Sequence, residues 1–199
     1  MKLVLASKNQ KKIAELQAIL GELLPDVQVL SLADVGITED IVEDGETFRE
    51  NALIKAKAAA AAGYIGVGDD SGLCVNALGG APGIYSARYA GEHGDDAANT
   101  ARLLDNMKGK VDRRAAFHCV IACVFPGSDE PIVTEGSVRG LITQAPCGNG
   151  GFGYDPVFYY PPFNCTLAEV DAKRKNEISH RGMALRAFAE ALAARLKNE

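Results

Sequence analysis

The segment YIGVGDDSG, residues 64–72, carries an apolar run directly up to two adjacent carboxylates, Asp69 and Asp70. The apolar run predicts a buried strand that ends at Asp69, because Asp, Ser and Gly are typical turn residues. Two like charges this close raise each other's proton affinity, so the pair is costly unless water, a cation or a catalytic task offsets the repulsion. A solvated turn is the alternative interpretation, and the rest of the chain must decide between the two.

The segments on either side alternate between strand and helix patterns. Residues 2–6 are typical of a buried strand, apolar positions 13–23 have helical spacing, and residues 27–30 alternate like a second strand. A polar, acidic loop follows, and then Thr47 and Glu50 form a capping box that predicts a helix as far as Gly63. Further on we expect a helix over about 95–107, a hairpin of strands at 115–125 and 131–142, and a last helix over about 179–196. This order predicts a mixed α/β fold in one domain, residues 1–199.

Composition limits the classes of partner and compartment. The net charge of −5 is a poor match for a nucleic-acid polymer, which needs a broad basic face. The five cysteines are odd in number and include no C-x-x-C pair, which indicates reduced, mostly buried thiols in a cytosolic protein. No apolar run is long enough to serve as a signal sequence or to span a bilayer. We therefore expect a cytoplasmic protein with no membrane segment and a small ligand.

The turn after the first strand places hydroxyl, amide and ammonium groups at the start of the first helix. Its residues are Ser7, Lys8, Asn9, Gln10, Lys11 and Lys12. Free backbone N–H groups and the helix dipole favour a phosphate at such a position, and a lysine one turn into the helix can reach it. The alternative is an ordinary N-cap with solvated lysines. The segment lacks the glycine pattern of a P-loop, which argues against a Walker-type nucleotidase.

An acidic segment, residues 39–46, precedes the second predicted helix, which carries Lys55 two turns in. Carboxylate oxygens are the ligands that Mg²⁺ prefers, usually one or two from the protein with the rest from water and substrate phosphate. Glu43 is therefore a candidate to join Asp70 around a metal, although any glutamate in such a run can simply be solvated. The three histidines are isolated in the sequence and lack the spacing of a zinc site.

Two further segments carry candidate ligand contacts. The glycine-rich loop at residues 148–156 lets the backbone approach a ligand closely, and Phe152 and Tyr154 offer aromatic faces on which a base can stack. His180 and Arg181 begin the last helix, where cations oppose the helix dipole. This local conflict indicates that the two side chains contact something. The alternative for the loop is a glycine-rich turn with two buried aromatic side chains, and the alternative for His180 and Arg181 is a simple surface contact.

Four segments in this order closely resemble the inosine triphosphate pyrophosphatase family, whose members act on non-canonical purine nucleoside triphosphates. They are Ser7-x-Asn9-x-x-Lys12, Asp69-Asp70-Ser71-Gly72-Leu73, Gly151-Phe152-Gly153-Tyr154-Asp155-Pro156 and Ser179-His180-Arg181-Gly182. The resemblance covers nearly the whole chain, including GGAPGIYSAR at residues 79–88. It implies a long curved mixed β-sheet flanked by helices, with an active-site cleft between two lobes.

The resemblance also implies an activity and roles for single residues. The activity is hydrolysis of ITP, dITP and XTP to the monophosphate and pyrophosphate, with Mg²⁺ as cofactor and a homodimer as the usual assembly. Asp70 is implied as general base and metal ligand, Glu43 as the second metal carboxylate, and Asp69 as a residue that can share the metal. The implied triphosphate and substrate contacts are Ser7, Lys8, Asn9, Gln10, Lys11, Lys12, Lys55 and Ser71. The implied base-binding group is Phe152, Gly153, Tyr154, Asp155, Lys175, His180 and Arg181.

Three other functions compete with this one. A phosphatase with an aspartyl nucleophile would release orthophosphate, but the D-x-D signature on the first strand is missing. A nucleotide-binding sensor without turnover needs the same phosphate and base contacts, and the adjacent carboxylates favour catalysis over it. A related Maf-type pyrophosphatase acts on pyrimidine or modified nucleotides, and the Phe152 loop and the Ser179-His180-Arg181 group argue against it.

Overall fold

A computed structural model describes residues 1–197 of the chain. The α-helices are α1 (Gln10–Leu23), α2 (Phe48–Ala61), α3 (Asp96–Asn106), α4 (Ala172–Ile178) and α5 (His180–Leu196). The strands are β1 (Lys2–Leu5), β2 (Gln28–Ser31), β3 (Ile65–Val75), β4 (Arg114–Val124), β5 (Ile132–Ile142), β6 (Phe158–Tyr160) and β7 (Cys165–Thr166). Short 3₁₀ helices occupy Ala33–Val35, Asn76–Leu78, Gly83–Arg88, Asp155–Val157, Pro161–Phe163 and Leu167–Glu169.

The predicted helices are present, and their caps explain where they begin. The side chain of Thr47 accepts a hydrogen bond from the backbone N–H of Glu50, and the Glu50 side chain completes the predicted capping box. The Asp95 side chain caps α3 by accepting a hydrogen bond from the N–H of Ala98. Helix α4 lies outside the sequence prediction; the Asp171 side chain caps it through the N–H of Arg174.

The expectation that the strand ends at Asp69 is wrong. Strand β3 continues through both aspartates, Ser71 and Gly72 to Val75. The turn propensity of Asp, Ser and Gly is outweighed here, because every residue from 66 to 70 is buried and both carboxylates have cationic partners. Successive side chains in a strand point to opposite faces of the sheet, so Asp69 and Asp70 diverge rather than face the same ligand.

The seven strands form one sheet in the order β2-β1-β3-β4-β5-β6-β7. Strand β1 pairs in parallel with both β2 and β3, while β6 pairs antiparallel with β5 and β7. The predicted mixed sheet with flanking helices is therefore confirmed.

The chain divides into two compact units. Among the described residues, the first contains 1–70, 119–136 and 181–197, and the second contains 71–118 and 137–180. The long strands β3, β4 and β5 contribute residues to both. The single domain expected from the sequence stays a prediction.

In the first unit, helices cover both faces of the strands. Leu3, Leu5 and Val67 pack with the apolar sides of α1 and α5, in one cluster that includes Leu16 and Phe188. On the opposite face, small side chains of α2 pack against the sheet. They are Ala52 and Ala56 against β4, and Ala59 against β1.

Glycine in β3 allows α2 to come very close to the strand. A Cβ atom at Gly66 would lie 2.1 Å from the carbonyl oxygen of Ala56, and one at Gly68 would lie 2.0 Å from that of Ala52. No side chain fits at either position. Because Asp70 follows Gly66 and Gly68 on the same face of the strand, this approach also brings α2 to Asp70.

The second unit has its own core. Leu73 and Val75 of β3 pack there with side chains from α3, β4, β5 and the 154–167 segment. The largest members of this cluster are Leu103, Met107, Phe117, Ile142, Tyr154, Val157, Phe158 and Leu167.

All five cysteines are free thiols, and Cys119 and Cys123 are buried as the sequence predicts. Among residues 1–197, no helix has both the length and the apolar character that crossing a membrane requires.

We predict that Gly68→Ala lowers the free energy of unfolding by about 1–3 kcal/mol, because the new methyl group overlaps the backbone of α2. Gly21→Ala is the matched control, since Gly21 lies exposed within α1 with open space around its Cβ position. The control should raise stability by about 0.5–1 kcal/mol. Urea unfolding monitored by circular dichroism measures both, and a neutral Gly68→Ala would contradict the close approach.

Candidate active site

Asp70 forms the centre of a buried group of opposite charges in the first unit. The ammonium of Lys55 donates to Asp70 Oδ1 at 2.8 Å and to the backbone oxygen of Asp69 at 3.0 Å. The same ammonium lies 2.9 Å from Glu43 Oε2. The side chains of Lys55 and Asp70 are each 8% exposed, and that of Glu43 is 29% exposed. Strand β3, helix α2 and the acidic loop thus bring two carboxylates to one lysine.

The second oxygen of Asp70 is available for a ligand. Oδ2 is buried and has no hydrogen-bond partner among residues 1–197. Burial raises the pKa of Asp70 above its usual range, even though the Lys55 ammonium acts in the opposite direction. An unpaired buried carboxylate oxygen is costly, so it indicates a position at which a cation or a proton donor binds.

The donor set near Asp70 fits Mg²⁺. Among the described residues, no three His, Cys, Asp or Glu side chains cluster to hold a metal by themselves. Mg²⁺ commonly needs fewer than three, because water and substrate phosphate complete its octahedral shell. Glu43 and Asp70 are two carboxylates that lie on one lysine, Lys55. Asp40 pairs instead with exposed Lys8, at 2.6 Å.

Asp69 lies in a different group of charges, on the other face of β3. Its Oδ1 accepts from Lys12 at 2.8 Å and from Arg181 Nη2 at 3.4 Å, and its Oδ2 accepts from Arg181 Nε at 2.8 Å and from the Cys119 thiol at 3.4 Å. Arg181 also donates through Nη1 to Glu15. The four charges of Asp69, Lys12, Arg181 and Glu15 therefore balance in one network.

This network is deeply buried. The side chains of Asp69, Arg181 and Glu15 are 0%, 2% and 8% exposed, and that of Lys12 is 17% exposed. Burial alone would raise the pKa of Asp69, but Arg181 and Lys12 outweigh it and hold the pKa well below its usual range. The pKa values of the two neighbouring aspartates are thus shifted in opposite directions.

The predicted phosphate turn is built as a capped helix start. Asn9 is the N-cap of α1, and its side chain accepts from the N–H groups of Lys11 and Lys12 at 3.1 and 3.2 Å. Ser7 in turn accepts from the Asn9 N–H at 3.2 Å. Asn9 therefore already binds two of the backbone N–H groups at the start of the helix. This is the arrangement described by the N-cap alternative. Gln10 and Lys11 are exposed, and Ser71 is half-buried.

The glycine-rich loop of the second unit is held by Asp155. Asp155 Oδ2 accepts from the Phe152 N–H at 2.8 Å and from Lys175 at 2.7 Å. The Lys175 ammonium lies 4.6 Å from the centre of the half-buried Phe152 ring. A Cβ at Gly151, where φ is +68°, would meet Asp155 Oδ2 at 2.2 Å. Residue 151 must therefore be glycine for the loop backbone to lie this close to the Asp155 carboxylate.

Tyr154 and His180 are buried in the second unit rather than exposed. The Tyr154 hydroxyl donates to the backbone oxygen of Ser86 at 2.8 Å, and only 4% of the residue is exposed. The His180 ring is stacked on Phe117, with centroids 4.8 Å apart and planes 10° apart. Gly153 is held by its N–H, which donates to Asp96 at 2.9 Å. The structure thus gathers Phe152, Gly153, Asp155 and Lys175 in one group and gives Tyr154 a core position.

Comparison with known proteins identifies the family of this chain. Residues 3–191 match the Ham1 family. The chain belongs to the Ham1 family.

Relatives of this Ham1 family member have full-length similarity to it. The chain is 46% identical over 196 residues to the dITP/XTP pyrophosphatase of Acinetobacter baumannii, covering 96% of this chain and 94% of the relative. It is 47% identical to the dITP/XTP pyrophosphatase of Bacillus licheniformis, covering 95% and 96%. The solved structure of the Staphylococcus aureus Ham1 protein superimposes with a TM-score of 0.88 at 42% identity, covering 98% of this chain and 100% of that one.

Sequence reasoning missed Glu15 and Cys119 as members of the Asp69 network. Glu15 lies on α1 beside the buried Leu16, one helical turn after Lys12. Two opposite charges flanking the buried stripe of an amphipathic helix are a signal that their side chains contact a buried ionic group. Cys119 carried no such signal, because a thiol in an apolar strand is an ordinary core residue.

We predict that Arg181→Met lowers the free energy of unfolding by about 3–5 kcal/mol, because it leaves the buried Asp69 and Glu15 carboxylates without their shared cation. Arg114→Met is the matched control, since Arg114 pairs with Asp112 at the exposed surface, at 2.7 Å. The control should leave stability nearly unchanged. Equal urea midpoints for the two variants would contradict the role of Arg181 in the network.

Proposed function

We propose that this protein hydrolyses ITP, dITP and XTP to the nucleoside monophosphate and pyrophosphate, with Mg²⁺ as cofactor. The observation that carries the proposal is the buried Asp70 carboxylate, which has one oxygen on Lys55 and the other without a partner among residues 1–197. Membership of the Ham1 family and the dITP/XTP pyrophosphatase names of the relatives support the same activity.

In this proposal the metal is bound by Asp70 and Glu43. When bound, Mg²⁺ neutralises phosphate charge and thereby stabilises the pyrophosphate leaving group. Lys55 lies against both carboxylates and adds a positive charge for the triphosphate. The remaining phosphate contacts are proposed for the first turn and for β3. They are Ser7, Lys8, Asn9, Gln10, Lys11, Lys12 and Ser71.

Asp70 acts as the general base. A water oxygen attacks the α-phosphorus, the bond from that phosphorus to the bridging oxygen breaks, and the proton of the water passes to Asp70 Oδ2. The geometry supports this role, because Lys55 holds Asp70 Oδ1 and leaves Oδ2 without a partner among residues 1–197. General-base help supplies a factor of about 10² to 10⁴, so positioning and charge neutralisation supply the rest.

We assign selection of the nucleobase to the residues around the glycine-rich loop. Asp155 accepts from the Phe152 N–H, which fixes the loop, and from the Lys175 ammonium, which fixes the position of a group with three N–H donors. A fixed donor that expects a 6-oxo acceptor is left unpaired by the amino group of adenine, and this mismatch discriminates strongly. The full proposed group is Phe152, Gly153, Tyr154, Asp155, Lys175, His180 and Arg181.

Homodimer assembly and a cytoplasmic location are part of the proposal. The resemblance to the inosine triphosphate pyrophosphatase family implies the homodimer, and the odd number of cysteines without a C-x-x-C pair supports the cytoplasmic location. A small nucleotide rather than a nucleic-acid polymer is the proposed partner, in keeping with the net charge of −5.

An assay of ITP, dITP, XTP, GTP and ATP with Mg²⁺ tests the activity. Pyrophosphate and orthophosphate are detected separately. We expect pyrophosphate from the first three nucleotides and little from ATP, and loss of turnover on chelation of the metal. Orthophosphate as the first product would instead support a phosphatase, and binding of ITP without turnover would support a sensor.

The variant Asp70→Asn tests, in the same assay, whether Asp70 is the general base. We expect kcat for ITP to fall by about 10² to 10⁴-fold, because the amide cannot accept the proton of water. Asp44→Asn is the matched control, since Asp44 is an exposed carboxylate of the acidic loop. Its rate should equal that of the wild type. A near-normal rate for Asp70→Asn would refute the assignment of the base.

A further inference from the structure

Asp69 has contacts unlike those of a metal ligand. Each of its two oxygens accepts at least two hydrogen bonds, from Lys12 and Arg181 on one side and from Arg181 and Cys119 on the other. A carboxylate oxygen has about two lone-pair positions, so these contacts already use the acceptor capacity of Asp69. The oxygen of Asp70 that has no partner lies on the opposite face of the strand.

The contacts of Asp69 hold two cations in fixed places. Lys12 comes from the first turn of α1 and Arg181 from the first turn of α5, and both converge on Asp69 in β3. Glu15 holds the other end of the Arg181 guanidinium. With carboxylates at Nε and Nη1, the guanidinium has little freedom to turn, because its donors have a fixed planar geometry.

Stability alone does not account for such a network. Well-packed apolar side chains of similar volume often stabilise a protein as well as a buried ion pair does, because charges lose hydration on burial. The network does more than fill space, since the Lys12 side chain keeps 17% of its surface exposed while its ammonium is bonded to Asp69. A lysine tethered in this way reaches a phosphate at a lower entropic cost than a freely rotating one.

We propose that Asp69 is a positioning residue, which orients Lys12 and Arg181 for the substrate, and that Glu15 is the second carboxylate that fixes Arg181. The inference rests on the proposed function, in which both cations contact the nucleotide. Asp69 itself touches neither substrate nor metal. Its effect is therefore on substrate affinity, through the cations, more than on the chemical step.

Steady-state kinetics with ITP at saturating Mg²⁺ test this inference through the variant Asp69→Asn. We expect KM to rise about tenfold with a smaller change in kcat, because ground-state contacts are lost. A purely structural role would lower the fraction of active enzyme and hence kcat, leaving KM unchanged. In a Lys12→Gln background the same substitution should raise KM less than about threefold, since one of the two oriented cations is already absent.

The matched control is Asp105→Asn, which removes a carboxylate of α3 that pairs with exposed Lys108, 2.6 Å away and just beyond the end of the helix. Its kcat and KM should equal those of the wild type, and a KM raised as much as in Asp69→Asn would overturn the inference. If Asp69→Asn does not fold, Glu15→Gln tests the network from its other end. There a KM increase of about threefold supports the inference, and an unchanged KM overturns it.

The wild-type enzyme in the same experiment separates this inference from the function on which it rests. Absence of pyrophosphate release from ITP by the wild type rejects the proposed function. Wild-type turnover together with an unchanged KM in folded Asp69→Asn, or with equal effects of that substitution in the presence and absence of Lys12, rejects the positioning role alone.

Discussion

Side chains alternate across a β-strand, and in β3 this alternation separates two aspartates that are neighbours in the chain. Asp70 points to the face covered by α2 and meets Lys55, while Asp69 points to the other face and meets Lys12 and Arg181. The two carboxylates therefore accept hydrogen bonds from different cations. Burial raises the pKa of Asp70, whereas Arg181 and Lys12 outweigh burial at Asp69 and lower its pKa.

The surroundings of Asp70 depend on how closely α2 approaches the sheet. Gly66 and Gly68 leave room for the helix backbone on the face where Asp70 comes next, and the alanines of α2 keep the helix side equally small. Lys55 on that helix therefore contacts Asp70, and Glu43 from the preceding loop contacts the same lysine. Packing of small residues thus sets the distance between a candidate base and its cation.

Most of the helices could be predicted from the sequence, because capping residues and helical spacing are local signals. The capping box of Thr47 and the helical spacing after Asn9 predicted two helices correctly, because their signals lie within one turn of chain. The end of β3 was predicted wrongly, because Asp-Asp-Ser-Gly has turn propensity and the cations that stabilise it as strand lie 57 and 112 residues away. The helix-start position of Arg181 indicated a contact, but Glu15, 166 residues away, could not be identified from any local pattern.

The separation of the two aspartates is tested most directly by a crystal structure with Mn²⁺ and a non-hydrolysable inosine triphosphate analogue, using the anomalous signal of the metal. The account predicts a metal peak about 2.1 Å from an oxygen of Asp70, with Asp69 still bonded to Lys12 and Arg181. A metal bound to Asp69, or an Asp69 carboxylate turned away from Arg181 toward the nucleotide, would contradict it.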